Sequence, residues 1–284
     1  TTAFEHPAVL EVCRYLVDHE GFESTVIPVD RQGMVDPGVL EGTIRSDTIL
    51  ITVMHANNEV GTIQPIAAIA AIARRHDIVL HTDAAQSAGK IPVDVQALDV
   101  DLLSLAGHKI YAPKGIGALF VRTDRFPEKF CHGAGQEKGW RAGTENVLEI
   151  VGFGQACEVA ARDPDAHMDH LQRMRDRLHQ GLAARIPNMR LNGHPDHRLP
   201  NTLSLAFENQ EANRLLEEIG LEVAASAGAA CHADSVTLSH VLEAMQVPVH
   251  WAKGTLRFSV GRMTTADDID RAIAVITAAV NKAV

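Results

Sequence analysis

Between residues 47 and 121 short aliphatic runs alternate with amphipathic helical stretches, and this alternation leaves few folds open to the chain. Residues 47–53 (DTILITV) read as a fully buried strand, and 78–81, 101–105 and 116–121 repeat that texture, with another strand expected over 25–29. Between them Pro65 opens a helix that carries Ile66, Ile69 and Ile72 on one face. An earlier helix over 7–18 gathers Leu10, Cys13, Leu16 and Val17, and Gly21 stands where a helix stops. Strand–helix alternation predicts a mainly parallel α/β sheet with ligands beyond the carboxyl ends of its strands. Asp83 and the turn holding Gly107, His108 and Lys109 fall at such ends.

From about Val147 the pattern changes. Helices are expected over 147–162 and 165–186, broken at Asp163-Pro164, followed by a Pro/Gly/His-rich stretch over 192–200. Strand 202–206, helix 211–219, strand 221–224, helix 239–245 and strand 255–260 follow, with a final helix from Ala266 capped by Thr265. This predicts a large domain over 1–164 and a smaller α+β domain over 165–284. At 284 residues there is chain enough for both cores. A net charge of −10 opposes a nucleic-acid-binding surface. No apolar run reaches membrane-spanning length, and no signal-peptide pattern opens the chain. The four cysteines lack paired short spacing, which points away from disulfides and zinc and towards a reducing cytoplasm. Cys131-His132 has no second ligand pair, so no metal is expected; Cys13 and Cys157, in apolar helices, are expected to be buried and inert.

Taken singly, the polar residues at the strand ends are ordinary. Lys109 suits a solvated surface, Asp83 a helix cap, Gln86 a first turn, and His108 packing. Together they form a chemical set. An acid closing one strand and a His-Lys pair just past the next supply what pyridoxal phosphate requires. The amine forms a Schiff base, and the carboxylate keeps the pyridine nitrogen protonated.

The segments HANNEVG (55–61), HTDAAQS (81–87), GHKIY (107–111), RAGTEN (141–146), SAGAACHADS (226–235) and TLRFSVGR (255–262) resemble cysteine desulfurases. These are fold-type I pyridoxal-phosphate-dependent transferases of the class V aminotransferase group, with selenocysteine lyases as close relatives. The resemblance runs through essentially the whole chain. It implies that Lys109 is the Schiff-base lysine and moves the substrate Cα proton, while Asp83 pairs with the pyridinium nitrogen. Gln86 and Asn58 would hydrogen-bond the phenolic oxygen, Asn58 also reaching the substrate carboxylate. His6 resembles the histidine that stacks on the ring and exchanges protons with substrate, and His108 would help hold the phosphate. Thr144 resembles the residue that reaches the phosphate of a neighbouring subunit, which implies a homodimer. Arg257 resembles the guanidinium that clamps the α-carboxylate.

Cys231 separates the reaction types. Small residues around it (224–232) predict a mobile loop that carries a thiolate to the cofactor and on to an acceptor. The resemblance then implies conversion of L-cysteine to L-alanine with a persulfide on Cys231, His232 and His6 being candidates to favour the thiolate. The long stretch from Cys231 to Arg257 resembles the long-loop desulfurases that serve iron–sulfur assembly and thiolation. Selenocysteine lyase is one alternative; an aminotransferase-like enzyme in which Cys231 is incidental is another. A cofactor-free interaction module is the third. The acceptor pathway, whether iron–sulfur assembly, tRNA thiolation or DNA phosphorothioation, stays open. Two departures stand out: Ala106 occupies a place where many relatives have serine, and no Gly/Thr-rich phosphate-binding turn precedes His6. A natural protein longer at its N-terminus is therefore expected.

Overall fold

The computed structural model describes residues 1–122, 128–232 and 235–282; over 229–232 and 235–237 it describes the backbone alone. In chain order the elements are α1 (Pro7–Glu20), α2 (Pro37–Glu41), β1 (Leu50–Thr52), α3 (Ile66–Arg75), β2 (Val79–Asp83), α4 (Val95–Leu98), β3 (Leu102–Ala106) and β4 (Gly117–Val121). Then follow α5 (Val147–Ala161), α6 (Pro164–Ala183), β5 (Met189–Asn192), β6 (Thr202–Phe207), α7 (Ala212–Ile219), β7 (Ser226–Ala227), β8 (Ala229–His232) and β9 (Ser235–Leu238). The chain continues through α8 (His240–Ala244), α9 (Val249–Ala252), β10 (Thr255–Ser259) and α10 (Ala266–Lys282).

These residues group into two compact units. One comprises 45–55 and 66–164, the other 1–44, 56–65 and 165–284. Residues 1–44 and 56–65 thus group with the C-terminal segment, whereas the sequence reading assigns all of 1–164 to one cofactor-binding domain.

In the first unit β1, β2 and β3 are parallel neighbours, and β4 returns antiparallel to β3. Parallel strands need crossovers, and α3 supplies one, burying Ile66, Ile69 and Ile72 as their spacing predicts. The expectation of a fully buried strand over 47–53 needs correction. Ile49 and Leu50 are 64% and 45% exposed, because β1 lies at the edge of the described sheet. Asp101 is buried beside β3, accepts from the Leu80 amide at 2.9 Å and pairs with Arg74 at 3.0 Å. α5 is apolar yet has no buried residue among those described, so Cys157 is exposed rather than buried, and Cys13 on α1 is only half-buried.

The second unit has an antiparallel sheet of order β5-β6-β10-β7. β6 is buried along its whole length, since α6, α7 and α10 contribute Leu178, Leu182, Leu215, Ile273 and Ile276 to the core that covers it. Gly21 ends α1 in the left-handed region at φ 72°, where a β-carbon would be strained. Thr265 begins α10 as expected, its amide donating to Asp268 and its hydroxyl accepting from the Asp268 amide. Two expected strands are absent. Over 25–29 only Ile27 makes a bridge, to Thr2; over 221–224 the chain turns with Leu221 fully exposed. β5 is a strand for which the sequence gives no expectation, and the stretch over 224–232, expected as a loop, contains β7 and β8, the latter pairing with β9 in a hairpin.

Candidate active site

Two parallel strands deliver the central pair. Asp83 closes β2, Lys109 sits in the short 3₁₀ turn Gly107–Ile110 directly after β3, and the register sets Asp83 beside Ser104. Local sequence explains both ends. Asp83 Oδ1 accepts from the Ala85 amide at 2.8 Å, an Asx turn that stops the strand and orients the half-buried carboxylate. The Ala84 amide meanwhile donates to Ser104 O at 3.0 Å, so the turn is sewn to β3. Beyond β3 the Gly107 amide donates to Ile116 O at 2.9 Å, and the chain folds back with His108 and Lys109 exposed. Gln86 is half-buried within the Asp83–Ser87 turn. Thr144 is exposed in the segment ahead of Asn146, the N-cap of α5.

Two histidines brace this arrangement. His81 lies two residues before Asp83, on the same face of β2, and spans three strands: Nδ1 meets Thr52 Oγ1 at 2.8 Å and Nε2 meets Ser104 Oγ at 2.8 Å. Burial lowers its pKa, against the raising effect of the Asp83 charge. His55 Nδ1 lies 2.9 Å from Ser87 Oγ, and that hydroxyl is 3.2 Å from Ala84 O. With the hydroxyl hydrogen directed at the carbonyl, His55 Nδ1–H is the donor. Burial pushes His55 down to about 4, so the ring is neutral at physiological pH. Both residues stand within the motifs HANNEVG and HTDAAQS, which by themselves assign them no role. The alternation of side chains along β2 carries a signal for His81; for His55 no local signal exists, because its partner is 32 residues away.

The second unit holds the other candidates. His6 is exposed at the start of α1, and its Nδ1 accepts from the Ala8 amide at 3.1 Å as the helix cap. Asn58 lies in a loop organised by its neighbour. Asn57 is fully buried, donates to Phe4 O at 3.0 Å and accepts from the amides of Glu59 and Val60 at 2.8 and 3.0 Å. Arg257, half-buried on β10, donates to Asn58 O and to Ser226 Oγ, both at 3.0 Å. Its partners are neutral oxygens, which hold a guanidinium in place while leaving its charge to attract a carboxylate. Ser239, following β9 and capping α8, donates to Glu59 Oε2 at 2.6 Å, so the loop carrying Asn58 also anchors one end of the hairpin. The backbone of Cys231 pairs with Val236 in that hairpin; the side chains of Cys231 and His232 lie outside the described residues.

Comparison with known proteins adds a second line of evidence. The family profile "Aminotransferase class-V" matches residues 1–272. A relative from Methanosarcina thermophila named cysteine desulfurase IscS is 47% identical over 283 residues, covering 99% of this chain and 70% of its own length. A solved structure named NifS-like protein superposes with a TM-score of 0.90 at 35% identity, covering 98% of this chain and 73% of the other. Another, named "SspA in complex with cysteine", gives a TM-score of 0.76 at 35% identity, covering 93% of this chain and 73% of the other.

Proposed function

The chain belongs to the class V aminotransferase family, among its cysteine desulfurases, and from that premise we propose that it converts L-cysteine to L-alanine and carries the sulfur on Cys231 as a persulfide for an acceptor. The observation that carries this reading is the Asp83 carboxylate and the Lys109 amine at the ends of adjacent parallel strands, matched to a family in which pyridoxal phosphate is implied. The donor set fits that group. An oriented, half-buried carboxylate suits a protonated ring nitrogen, and an amine one strand away suits its aldehyde. Gln86 would hold the phenolic oxygen together with Asn58, His108 and Thr144 would hold the phosphate, and His6 would lie on the ring. Bound there, the cofactor supplies an electron sink for the pair left when a Cα proton departs.

The remaining steps belong to side chains. Arg257 binds the substrate carboxylate through its planar fork, Asn58 assisting, and so sets which Cα bond faces the base. Lys109, once free, takes the Cα proton. The Cys231 thiolate attacks the substrate sulfur; the new S–S bond forms as the C–S bond breaks, and its electron pair stays with the three-carbon fragment that leaves as alanine. A relative solved with cysteine supports that substrate. The same reading carries a homodimer, with Thr144 serving the neighbouring site, and a cytoplasmic place of action; no described helix is long and apolar enough to cross a membrane.

The test is incubation with L-cysteine and a reductant, scoring alanine and sulfide. Wild type should release both in equal amounts, while Lys109→Ala and Cys231→Ala should release neither above background. Full turnover by Cys231→Ala would replace this reading with the aminotransferase-like one.

A further inference from the structure

The hairpin that carries Cys231 stands on two feet, and both rest on segments that hold other candidate site residues. Every contact involved lies within the second unit. At the entry foot the Gly228 amide donates to Thr255 O at 2.9 Å, and Ser226 Oγ accepts from Arg257 at 3.0 Å. At the exit foot the Ser239 hydroxyl donates to the Glu59 carboxylate at 2.6 Å, a charge-assisted bond. The same hydroxyl oxygen accepts from the Val241 amide at 3.1 Å and so caps α8. His240 follows, its Nε2 lying 2.8 Å from Glu5 O; a carbonyl accepts, so the ring nitrogen is the donor. The Ser239 amide donates to Gly228 O at 2.9 Å and closes the base. Packing there is tight: a β-carbon at Gly228 would stand 2.9 Å from Leu242 Cδ1 and from Thr255 Cγ2. Glu59 and Glu5 adjoin Asn58 and His6 in the chain, yet neither has a role in the mechanism above.

We propose that Glu59 is a positioning residue for the sulfur-transfer step. Its carboxylate, with the Glu5 carbonyl, fixes the exit foot of the hairpin to the segments carrying Asn58 and His6. It thereby sets where Cys231 stands relative to a substrate held by Arg257 and Asn58. The inference rests on the reading of Cys231 as the residue that accepts the sulfur. β8 and β9 pair with each other and with no other described strand, and a two-stranded hairpin has little stability of its own. Its direction is therefore decided at its base. Without the Glu59 carboxylate the arm pivots on the entry foot, while Arg257 keeps its contact with Asn58 O. The Glu59 backbone also keeps its place, because its amide donates to Asn57 Oδ1 at 2.8 Å. Substrate binding and sulfur transfer thus come apart.

The test mixes cofactor-loaded protein with L-cysteine and follows two events. Binding is read from the visible absorbance change, and persulfide on Cys231 from alkylation and peptide mass spectrometry. Glu59→Ala should slow persulfide formation roughly tenfold or more, with half-saturation of the absorbance change within about twofold of wild type. Glu59→Gln, whose amide oxygen still accepts from Ser239, should recover most of the rate. Ser239→Asp preserves the helix cap but sets a second carboxylate against Glu59, and it should be as slow as Glu59→Ala. Without substrate, hydrogen exchange of the Ser239 and Val241 amides should quicken roughly tenfold in Glu59→Ala and stay unchanged in Glu59→Gln. Persulfide formation at the wild-type rate in Glu59→Ala or in Ser239→Asp would overturn the proposal. Exchange indifferent to Glu59→Ala would overturn it as well. A wild-type protein that forms no persulfide on Cys231 would instead sink the desulfurase reading, and the exchange measurement separates that failure from failure of the anchor.

Discussion

Arg257 illustrates how neutral partners prepare a charged side chain. The carbonyl of Asn58 and the hydroxyl of Ser226 fix the fork without neutralising it. Arg257→Lys keeps the charge and loses the planar geometry, so KM for cysteine should rise about tenfold or more with a smaller change in kcat. Equal losses in kcat and kcat/KM would instead mean that the contact forms only in the transition state. His55 makes a different prediction. Its folded-state pKa is depressed to about 4 from the ordinary value of about 6.5, so the unfolded chain binds the proton first as pH falls. Its contribution is present above pH 6.5 and is lost between 6.5 and 4. Denaturation at pH 7.5 and pH 4.5 should show wild type losing ~2 kcal/mol more than His55→Asn. An identical loss in the variant would assign the acid sensitivity elsewhere. At this scale the site was partly legible. Asp83, Gln86 and Lys109 stand out because contiguous residues form recognisable segments. Asn57 and Ser226 do not, since Phe4 and Arg257 are brought to them only by loop closure.

Among the elements, β2 and β3 bear most on the chemistry, and Asp101 locks them from the side. Its carboxylate is 1% exposed, accepts from Leu80 on β2 and pairs with Arg74 at the end of α3. Asp101→Ala would leave the Leu80 amide and part of a guanidinium charge without a partner, costing roughly 3 kcal/mol. Urea unfolding measures it, and a loss below about 0.5 kcal/mol would show that water replaces the carboxylate. β6 shows the opposite case, being buried along its length with Leu203, Leu205 and Phe207 in the apolar core. Leu205→Ala there should cost ~3 kcal/mol through the cavity it opens, read in the same experiment. Elements with a strong period were legible from residue types: α3, α6, α10 and the central strands appear near their expected places. The strand expected over 221–224 fails because its residues are bounded by turns and meet no neighbouring strand, and propensity without pairing does not make a strand.

For the whole molecule the net charge of −10 is the broadest physical quantity. It predicts no measurable binding to duplex DNA in a gel shift at physiological salt; a complex stable under those conditions would require a local basic surface strong enough to overcome the net repulsion. The class of fold and the identity of the chemical groups were already present in the amino-acid order, because hydrophobic period and motif spacing are properties of neighbouring residues. What lay beyond it was the grouping of distant segments. Residues 1–44 and 56–65 join the C-terminal unit, His55 finds Ser87, and Arg257 finds the carbonyl of Asn58. Those pairings follow from how whole elements bury their apolar faces, a balance struck over the entire chain and invisible in any local stretch of it.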